Sequence, residues 1–282
     1  MFTIPKSVLL TRLRKYLDLD IGYGDLSSSF IPEKEKGVAN IIAKTSGIVA
    51  GSEEATLLFE DVGIIVKRNF DDGDKIEEGD ILMELNGNLQ NILTIERTAL
   101  NFLMKLSSIA TSTKDLVQII QKNNLSTKIA ATRKITPGFG WFEKKAVFYG
   151  DGDTHRWNLS DMVMFKDTHL KFYNGDIKKL LQTARNQISF SKKIEIEIEK
   201  TEDIVKAAEN GADIIMLDNM SPEQISNALT LIKDRTHILF EASGNIDKEN
   251  LLAYAKTGVD IISTSLTILN PHKKMDYSLK LL

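Results

Sequence analysis

Hydrophobic and polar positions recur with two different periods along this chain, and the change of period divides it. Between residues 7 and 17, Val8, Leu9, Leu13 and Leu17 fall at helical spacing, which predicts a helix. A turn follows at Gly22-Tyr23-Gly24-Asp25. From Gly37 to Leu93, short apolar runs (Ala39–Ala43, Ile64–Val66, Ile81–Leu85) are separated by Gly and Asp, which predicts strands. One helix is expected among them, near Glu53–Glu60, and the stretch from Asp71 to Asp80 reads as a structural hairpin. From Thr94 to Lys122 the period returns to three and four, with Ile95, Ala99, Phe102, Leu106 and Ile109 on one stripe of a long connecting helix.

After Asn124 the rhythm becomes strand, loop, helix. Strands are predicted at Lys128–Ala131, Met162–Phe165, Ile194–Ile198, Asp213–Leu217, His237–Phe240 and Asp260–Ser263. Helices are predicted near Asp203–Asn210, Pro222–Lys233 and Lys248–Lys256. Gly211 and Gly258 suit helix C-terminal positions, and Pro222 suits a first helical turn. The later strands begin roughly 20 residues apart, the spacing of βαβ units in a parallel sheet covered by helices. A β/α barrel or a doubly wound sheet satisfies that pattern.

Composition narrows this reading. The chain has 282 residues, 42% of them hydrophobic and 27% charged, enough for a sizeable core without staples. The formal net charge of −3 offers no general attraction for nucleic acid, and no basic stripe with interleaved aromatics occurs. The absence of cysteine removes disulfides, thiolate metal sites and cysteine nucleophiles. No run of about 18 apolar residues is present and the N-terminus has no secretion pattern, so the expectation is a cytoplasmic protein with no membrane partner.

In a β/α barrel, chemistry sits at the C-terminal ends of the strands. Here those ends read Thr132-Arg133-Lys134, Lys166-Asp167, Asp218-Asn219, Glu241-Ala242-Ser243-Gly244 and Ser263-Thr264-Ser265. The strand Glu195-Ile196-Glu197-Ile198-Glu199 puts three acids on one face. Solvent explains a polar strand end taken singly. It does not explain the set, because Lys and Glu are rarely buried unpaired and inward acids are costly in a purely structural barrel. Arg133, Lys134 and Lys166, joined by His155-Arg156, would form a basic wall for carboxylate or phosphate. Glu197 and Asp218 are a plausible oxygen pair for Mg²⁺ bridging to substrate phosphates. The residues alone reach an enzyme acting on a small anion.

The ordered strings resemble those of quinolinate phosphoribosyltransferases. They are Glu96-Arg97-Thr98-Ala99-Leu100-Asn101-Phe102, Thr132-Arg133-Lys134 with Thr136-Pro137-Gly138, His155-Arg156, Lys166-Asp167 with His169, Glu195-Ile196-Glu197, Leu217-Asp218-Asn219-Met220 and Glu241-Ala242-Ser243-Gly244, together with the Gly22–Asp25 turn. The resemblance spans nearly the whole chain. It implies an α/β fold: an N-terminal α/β sandwich domain joined to an open, TIM-like α/β barrel, the type II phosphoribosyltransferase fold. Residues 1–108 would form the first domain, joined by the tail 271–282, and residues 109–270 the barrel.

The implied activity is transfer of a phosphoribosyl group from phosphoribosyl pyrophosphate to quinolinate with decarboxylation, giving nicotinate mononucleotide for NAD biosynthesis. The resemblance implies that Arg97, Thr132, Arg133, His155, Arg156 and Lys166 bind substrate, with Lys134, Glu197 and Asp218 catalytic. Ser243, Gly244, Asn245, Ser263 and Ser265 would cradle phosphate, helped by the N-terminus of the helix after Gly244. Mg²⁺ is implied and an organic cofactor is not. The implied assembly is a homodimer, with higher assembly left open, in which Arg97 reaches a neighbouring subunit's site.

Some positions depart from the family pattern: Ala131, Ile135, Thr154, Thr168, Asn245 and Ser265. Asn245 and Ser265 add side chains where backbone would approach phosphate, which predicts a disturbed phosphate cradle. The end of the chain from Tyr254 to Ser265 is also similar to the ModD branch, relatives associated with molybdate-transport genes. The alternatives are therefore a ModD-like paralogue or a phosphoribosyltransferase with another aromatic carboxylate acceptor, or a non-catalytic anion-binding relative.

Overall fold

The computed structural model describes residues 4–282. It opens with helix α1 (Lys6–Ile21), strands β1 (Lys36–Ala43) and β2 (Gly47–Ile48), helix α2 (Ser52–Glu60), strands β3 (Ile65–Arg68), β4 (Lys75–Ile76) and β5 (Ile81–Asn88), and the long helix α3 (Leu89–Lys122). There follow β6 (Lys128–Ala130), α4 (Gly140–Tyr149), β7 (Val163–Phe165), α5 (Asp167–Phe172), α6 (Ile177–Gln187), β8 (Ile194–Ile198), α7 (Thr201–Glu209) and β9 (Ile214–Asp218). The chain ends with α8 (Pro222–Thr230), β10 (Leu239–Ser243), α9 (Leu251–Ala255), β11 (Ile261–Ser263), α10 (Leu266–Leu269) and β12 (Tyr277–Leu281). Two compact units result. One comprises the chain up to Lys114 with Trp141–Asp151 and Pro271–Leu282; the other comprises Asp115–Gly140 and Gly152–Asn270.

The first unit is built on an antiparallel sheet of order β12-β1-β5-β3. Along β1, Ala39, Ile41 and Ala43 are all fully buried, the period of two that a half-covered strand requires. Leu9, Leu13 and Leu17 form the buried stripe of α1, and Ala55, Leu58 and Phe59 that of α2. β12 pairs antiparallel with β1, with Tyr277 opposite Ala43 and Leu281 opposite Ala39.

Helix α4 lies in the sequence stretch assigned above to the barrel, yet nearly all of it belongs to this first unit. Its side chains give the reason. Phe142 makes edge-to-face contacts with Tyr16 and Phe102, with ring centroids 5.9 and 5.1 Å apart. Lys145, 2% exposed, places its ammonium 2.6 Å from Glu53, 2.7 Å from Glu54 and 3.7 Å from Asp72. Burial raises the Glu54 carboxyl to about 7, against the opposing pull of Lys145.

The second unit is a six-stranded parallel sheet of order β6-β11-β10-β9-β8-β7. Ile194, Ile196 and Ile198 on β8, Ile215 and Leu217 on β9, Phe240 and Ala242 on β10, and Ile262 on β11 all join the apolar core under the helices. The intervening residues therefore point to the opposite, concave face, and these are Glu195, Glu197, Met216, Asp218, Glu241, Ser243 and Ser263. One parity fills the core and the other furnishes a site. Ser221 caps α8 through a box with Gln224, with Pro222 in the first turn, an arrangement that stabilises a helix start by about 1 kcal/mol. Among the described residues no helix is long and apolar enough to cross a membrane.

Candidate active site

The concave face of the parallel sheet holds a cavity of about 630 Å³. The barrel residues assigned substrate-binding, catalytic or metal roles from the sequence all line it: Thr132, Arg133, Lys134, His155, Arg156, Lys166, Glu197, Asp218, Ser243, Gly244, Asn245, Ser263 and Ser265. Arg97 is exposed on α3 in the first unit and is not part of this lining.

Short-range geometry delivers the cations. Beyond β6, Ala131 N–H donates to the Asp153 carbonyl (2.8 Å) and Asp153 N–H to the Ile129 carbonyl (2.7 Å), so residue 153 runs beside the strand end. Asp153 then accepts the His155 N–H (2.8 Å), and His155 adopts φ 51°. His155, in this left-handed turn, and Arg156 directly after it both line the cavity. Arg156 is 7% exposed; burial, then the adjacent Arg133, lowers its pKa. Lys166 donates to Glu197 (2.6 Å), and its own backbone N–H donates to Nδ1 of His169 (3.0 Å). His169 thus shapes the loop that carries Lys166.

The acids fall at three depths. Glu195 is completely buried, Glu197 is half-buried at the centre, and Glu199 is exposed beyond the strand. Asp218 accepts from Asn219 Nδ2 (2.8 Å), and burial raises its pKa. His155 Nε2 lies 3.0 Å from Glu241 Oε2 and 3.4 Å from Glu195 Oε2, all three side chains being largely or fully buried. Burial alone would lower the imidazole's pKa, but the two carboxylates outweigh it and push it up to about 10. Glu195 is itself raised to about 7, chiefly by burial.

The backbone at Asn245 and Ser265 is unstrained. Asn245 adopts φ 50° and Asn219 φ 55°, the left-handed region that Asn tolerates better than other residues with a Cβ. Ser265 sits at φ −88°, where no glycine is required. Both substitutions are therefore compatible with an unstrained loop. Gly244, at φ 102°, is different: a Cβ there would lie 2.8 Å from Asn219 Cγ and 3.0 Å from its Cα. One expectation is corrected. The helix expected after Gly244 does not start there: residues 248–250 form a turn and α9 begins only at Leu251 and spans five residues, whereas the four-residue α10 starts at Leu266, directly after Ser265.

The family description "Quinolinate phosphoribosyl transferase, C-terminal domain" matches residues 109–280, and its N-terminal counterpart matches residues 25–107. The chain belongs to the quinolinate phosphoribosyltransferase family. A relative from Methanothermobacter thermautotrophicus, named "Probable nicotinate-nucleotide pyrophosphorylase [carboxylating]", is 41% identical over 273 residues, which cover 95% of this chain and 97% of that one. The nicotinate-nucleotide pyrophosphorylase [carboxylating] of Dictyostelium discoideum is 34% identical, covering 99% and 97%. The solved nicotinate-nucleotide pyrophosphorylase of Francisella tularensis superposes with a TM-score of 0.91 at 34% identity, covering 99% of this chain and 98% of that one. The fold is that of the family: an N-terminal α/β domain and an α/β barrel with a six-stranded parallel sheet.

Two polar residues of the concave face, both visible in the sequence strings, were given no role in the site there. Glu241 was expected just past a strand ending at Phe240; it lies inside β10 and is fully buried, because that strand is displaced toward Ser243. Glu195 was visible as one of three acids but not distinguished from the others. The signal that separates them is the first position on the inward parity, farthest from the mouth.

Proposed function

We propose that this chain transfers the phosphoribosyl group of phosphoribosyl pyrophosphate to quinolinate, releasing pyrophosphate and CO₂ and forming nicotinate mononucleotide for NAD biosynthesis. One observation carries the reading: a single cavity brings Arg133, Lys134, His155, Arg156 and Lys166 to face Glu197 and Asp218. Cations suit a dicarboxylate, and carboxylates suit a sugar centre that becomes positive as pyrophosphate leaves.

Arg133, Arg156, His155 and Lys166, with Thr132 beside them, bind the two carboxylates of quinolinate, the arginines through planar paired donors. This holds the ring nitrogen toward the anomeric carbon of the donor, which Lys134 contacts. Positioning of this kind supplies much of a transfer rate. Glu197 and Asp218 stabilise positive charge at the anomeric carbon, an electrostatic contribution that grows in a site closed to water. When the acceptor nitrogen has been alkylated, its charge draws in the electron pair left by the departing carboxylate. A proton then replaces CO₂ on the ring. Ser243, Gly244, Asn245, Ser263 and Ser265 hold the ribose phosphate.

Mg²⁺ accompanies the pyrophosphate. Glu197 and Asp218 fit it chemically, being two oxygen donors in one cavity, and Mg²⁺ is commonly held by one or two carboxylates plus substrate phosphates. The burial that raises Asp218 would be relieved by such a cation.

The working assembly is a homodimer in the cytoplasm, with Arg97 contributed to the neighbouring subunit's cavity. Arg97 is exposed, and the end of α1 and the turn after it are tied to its helix by Thr98 to Asp20 (2.7 Å) and Thr94 to Asp25 (3.0 Å). The adjoining segment exposes Leu19, Tyr23, Leu26 and Phe30 at 82% or more, an apolar surface suited to a subunit contact. The test is incubation of purified protein with both substrates and Mg²⁺, with the product identified by mass spectrometry. Nicotinate mononucleotide is expected. Quinolinate binding without product, together with turnover of another aromatic acid, would overturn the assignment.

A further inference from the structure

His155 enters the proposed site as one of several cations, but its surroundings differ from those of Arg133 or Lys166. Its side chain is 8% exposed, and Nε2 is pinned between two carboxylates that are themselves fully buried, at 3.0 Å from Glu241 and 3.4 Å from Glu195. Glu195 and Glu241 come from strands separated by β9, with Glu195 opposite Ile214 and Glu241 opposite Met216. The sheet register thus brings two acids toward one ring. Oε1 of Glu241 and both oxygens of Glu195 have no well-formed donor beyond this imidazole. Both acids are fully buried; Glu241 borders the cavity, whereas Glu195 is absent from its lining.

The donor inventory of imidazole then limits what His155 can present. Nε2 faces carboxylate oxygens, so its hydrogen-bonding capacity is spent inside the sheet. An acceptor's carboxylate can meet only the other ring nitrogen, and to donate to it Nδ1 must carry a proton. A neutral ring with its proton on Nε2 would turn a lone pair toward the anion. The ring is held from behind, much as buried carboxylates orient histidines in metal and catalytic sites.

We propose that Glu241 is a positioning residue of the acceptor subsite, fixing the His155 ring through Nε2 so that Nδ1–H is the donor offered to the acceptor's carboxylate. Glu195 is the second support of the same ring. This rests on the quinolinate reading above, in which His155 belongs to the acceptor wall. It adds that the wall has a buried layer of carboxylates whose role is to orient the ring. Glu241→Gln is nearly isosteric but removes the charge that holds the ring, so it separates positioning from packing.

The experiment compares the full-length protein with Glu241→Gln, His155→Ala and the double variant, measuring KM for each substrate and kcat. Nitrogen NMR of histidine-labelled protein at pH 8, with the signal assigned by its loss in His155→Ala, supplies a readout that needs no turnover. Glu241→Gln is expected to raise KM for quinolinate about tenfold, to leave KM for phosphoribosyl pyrophosphate within twofold, and to add little once His155 is gone, since residues acting through one another are not additive. The wild-type ring is expected to carry protons on both nitrogens. Equal rises in both KM values, or fully additive effects in the double variant, would show a general structural role and overturn the proposal. So would a wild-type His155 lacking the Nδ1 proton, even if Glu241→Gln failed to fold. If the wild type turns over no quinolinate, the functional reading fails, while the NMR result still decides the geometry of the ring.

Discussion

Gly244→Ala is the substitution for which the structure dictates a cost most directly. The residue sits at φ 102°, outside the left-handed well that an L side chain can use, and holding an alanine there costs roughly 1–3 kcal/mol. The new Cβ would also stand 2.8 Å from Asn219 Cγ and 3.0 Å from Asn219 Cα, closer than packed carbons approach. The second of these atoms is backbone, and the Asn219 N–H donates to the Ser243 carbonyl (2.9 Å), so that segment cannot simply retreat. Rotating the Asn219 side chain away breaks its 2.8 Å bond to Asp218. A hydrogen bond to a charged partner is worth about 1.5–3 kcal/mol. Together these give roughly 3–5 kcal/mol, or a fall in melting temperature of ~10 °C for a chain of this size. The displaced loop carries Ser243 and Asn245 and adjoins Asp218. Misplacement by about 1 Å near a reacting centre can lower kcat/KM for the phosphoribosyl donor about a hundredfold. Calorimetry and steady-state kinetics with the donor varied measure both. A melting temperature within about 2 °C of wild type, with donor kcat/KM within about threefold, would refute the steric reasoning.

Other perturbations test separate parts of the account. Lys145→Met leaves Glu54 and Asp72 buried without their cation and is expected to cost about 3–5 kcal/mol by thermal unfolding; a loss under about 1 kcal/mol would contradict this. Because Glu54 has a folded pKa above its unfolded value, the folded state binds the extra proton, so the stability of the wild type relative to Glu54→Gln should rise as pH falls from about 7 toward 4.5; a relative stability that falls there would show the sign to be wrong. Arg156→Ala is expected to raise KM for quinolinate on the order of a hundredfold while changing donor KM little, since removing a buried charge partner costs about 2–5 kcal/mol; parallel changes in both would count against an acceptor role. For His155, the folded pKa is raised, so its charge persists up to about 10: KM for quinolinate should stay level from pH 7 to 9 and rise above that, and a rise beginning near pH 6.5 would show that the carboxylates do not hold the ring charged.

Much of this arrangement is legible in the sequence because period and parity carry it. The isoleucines of Glu195-Ile196-Glu197-Ile198 declare a buried outer face, and the alternation leaves the acids no place but the concave side. The strand ends at Arg133-Lys134, Lys166 and Asp218 follow from the same logic. What the sequence leaves hidden depends on register and on contacts between distant segments. Glu241 looked like a strand-end residue because Ile238-Leu239-Phe240 is the apolar run, yet pairing with β9 carries the strand on to Ser243. Helix α4 has weak amphipathic character and buries two lysines, Lys144 and Lys145, so its place in the first unit shows only in contacts between distant segments: the Phe142 ring against Tyr16 and Phe102, and ion pairs to residues some ninety positions away. Asn245 and Ser265 stand in backbone conformations that these residue types adopt, and residue identity alone does not report φ.

Quinolinate labelled with ¹³C in the carboxylate adjacent to the ring nitrogen tests the central claim most directly. Purified protein supplied with this compound, phosphoribosyl pyrophosphate and Mg²⁺ should release labelled CO₂ in one-to-one proportion to nicotinate mononucleotide, and none when the donor is omitted. Donor-independent release of CO₂, or nucleotide formation that retains the labelled carboxylate, would contradict it.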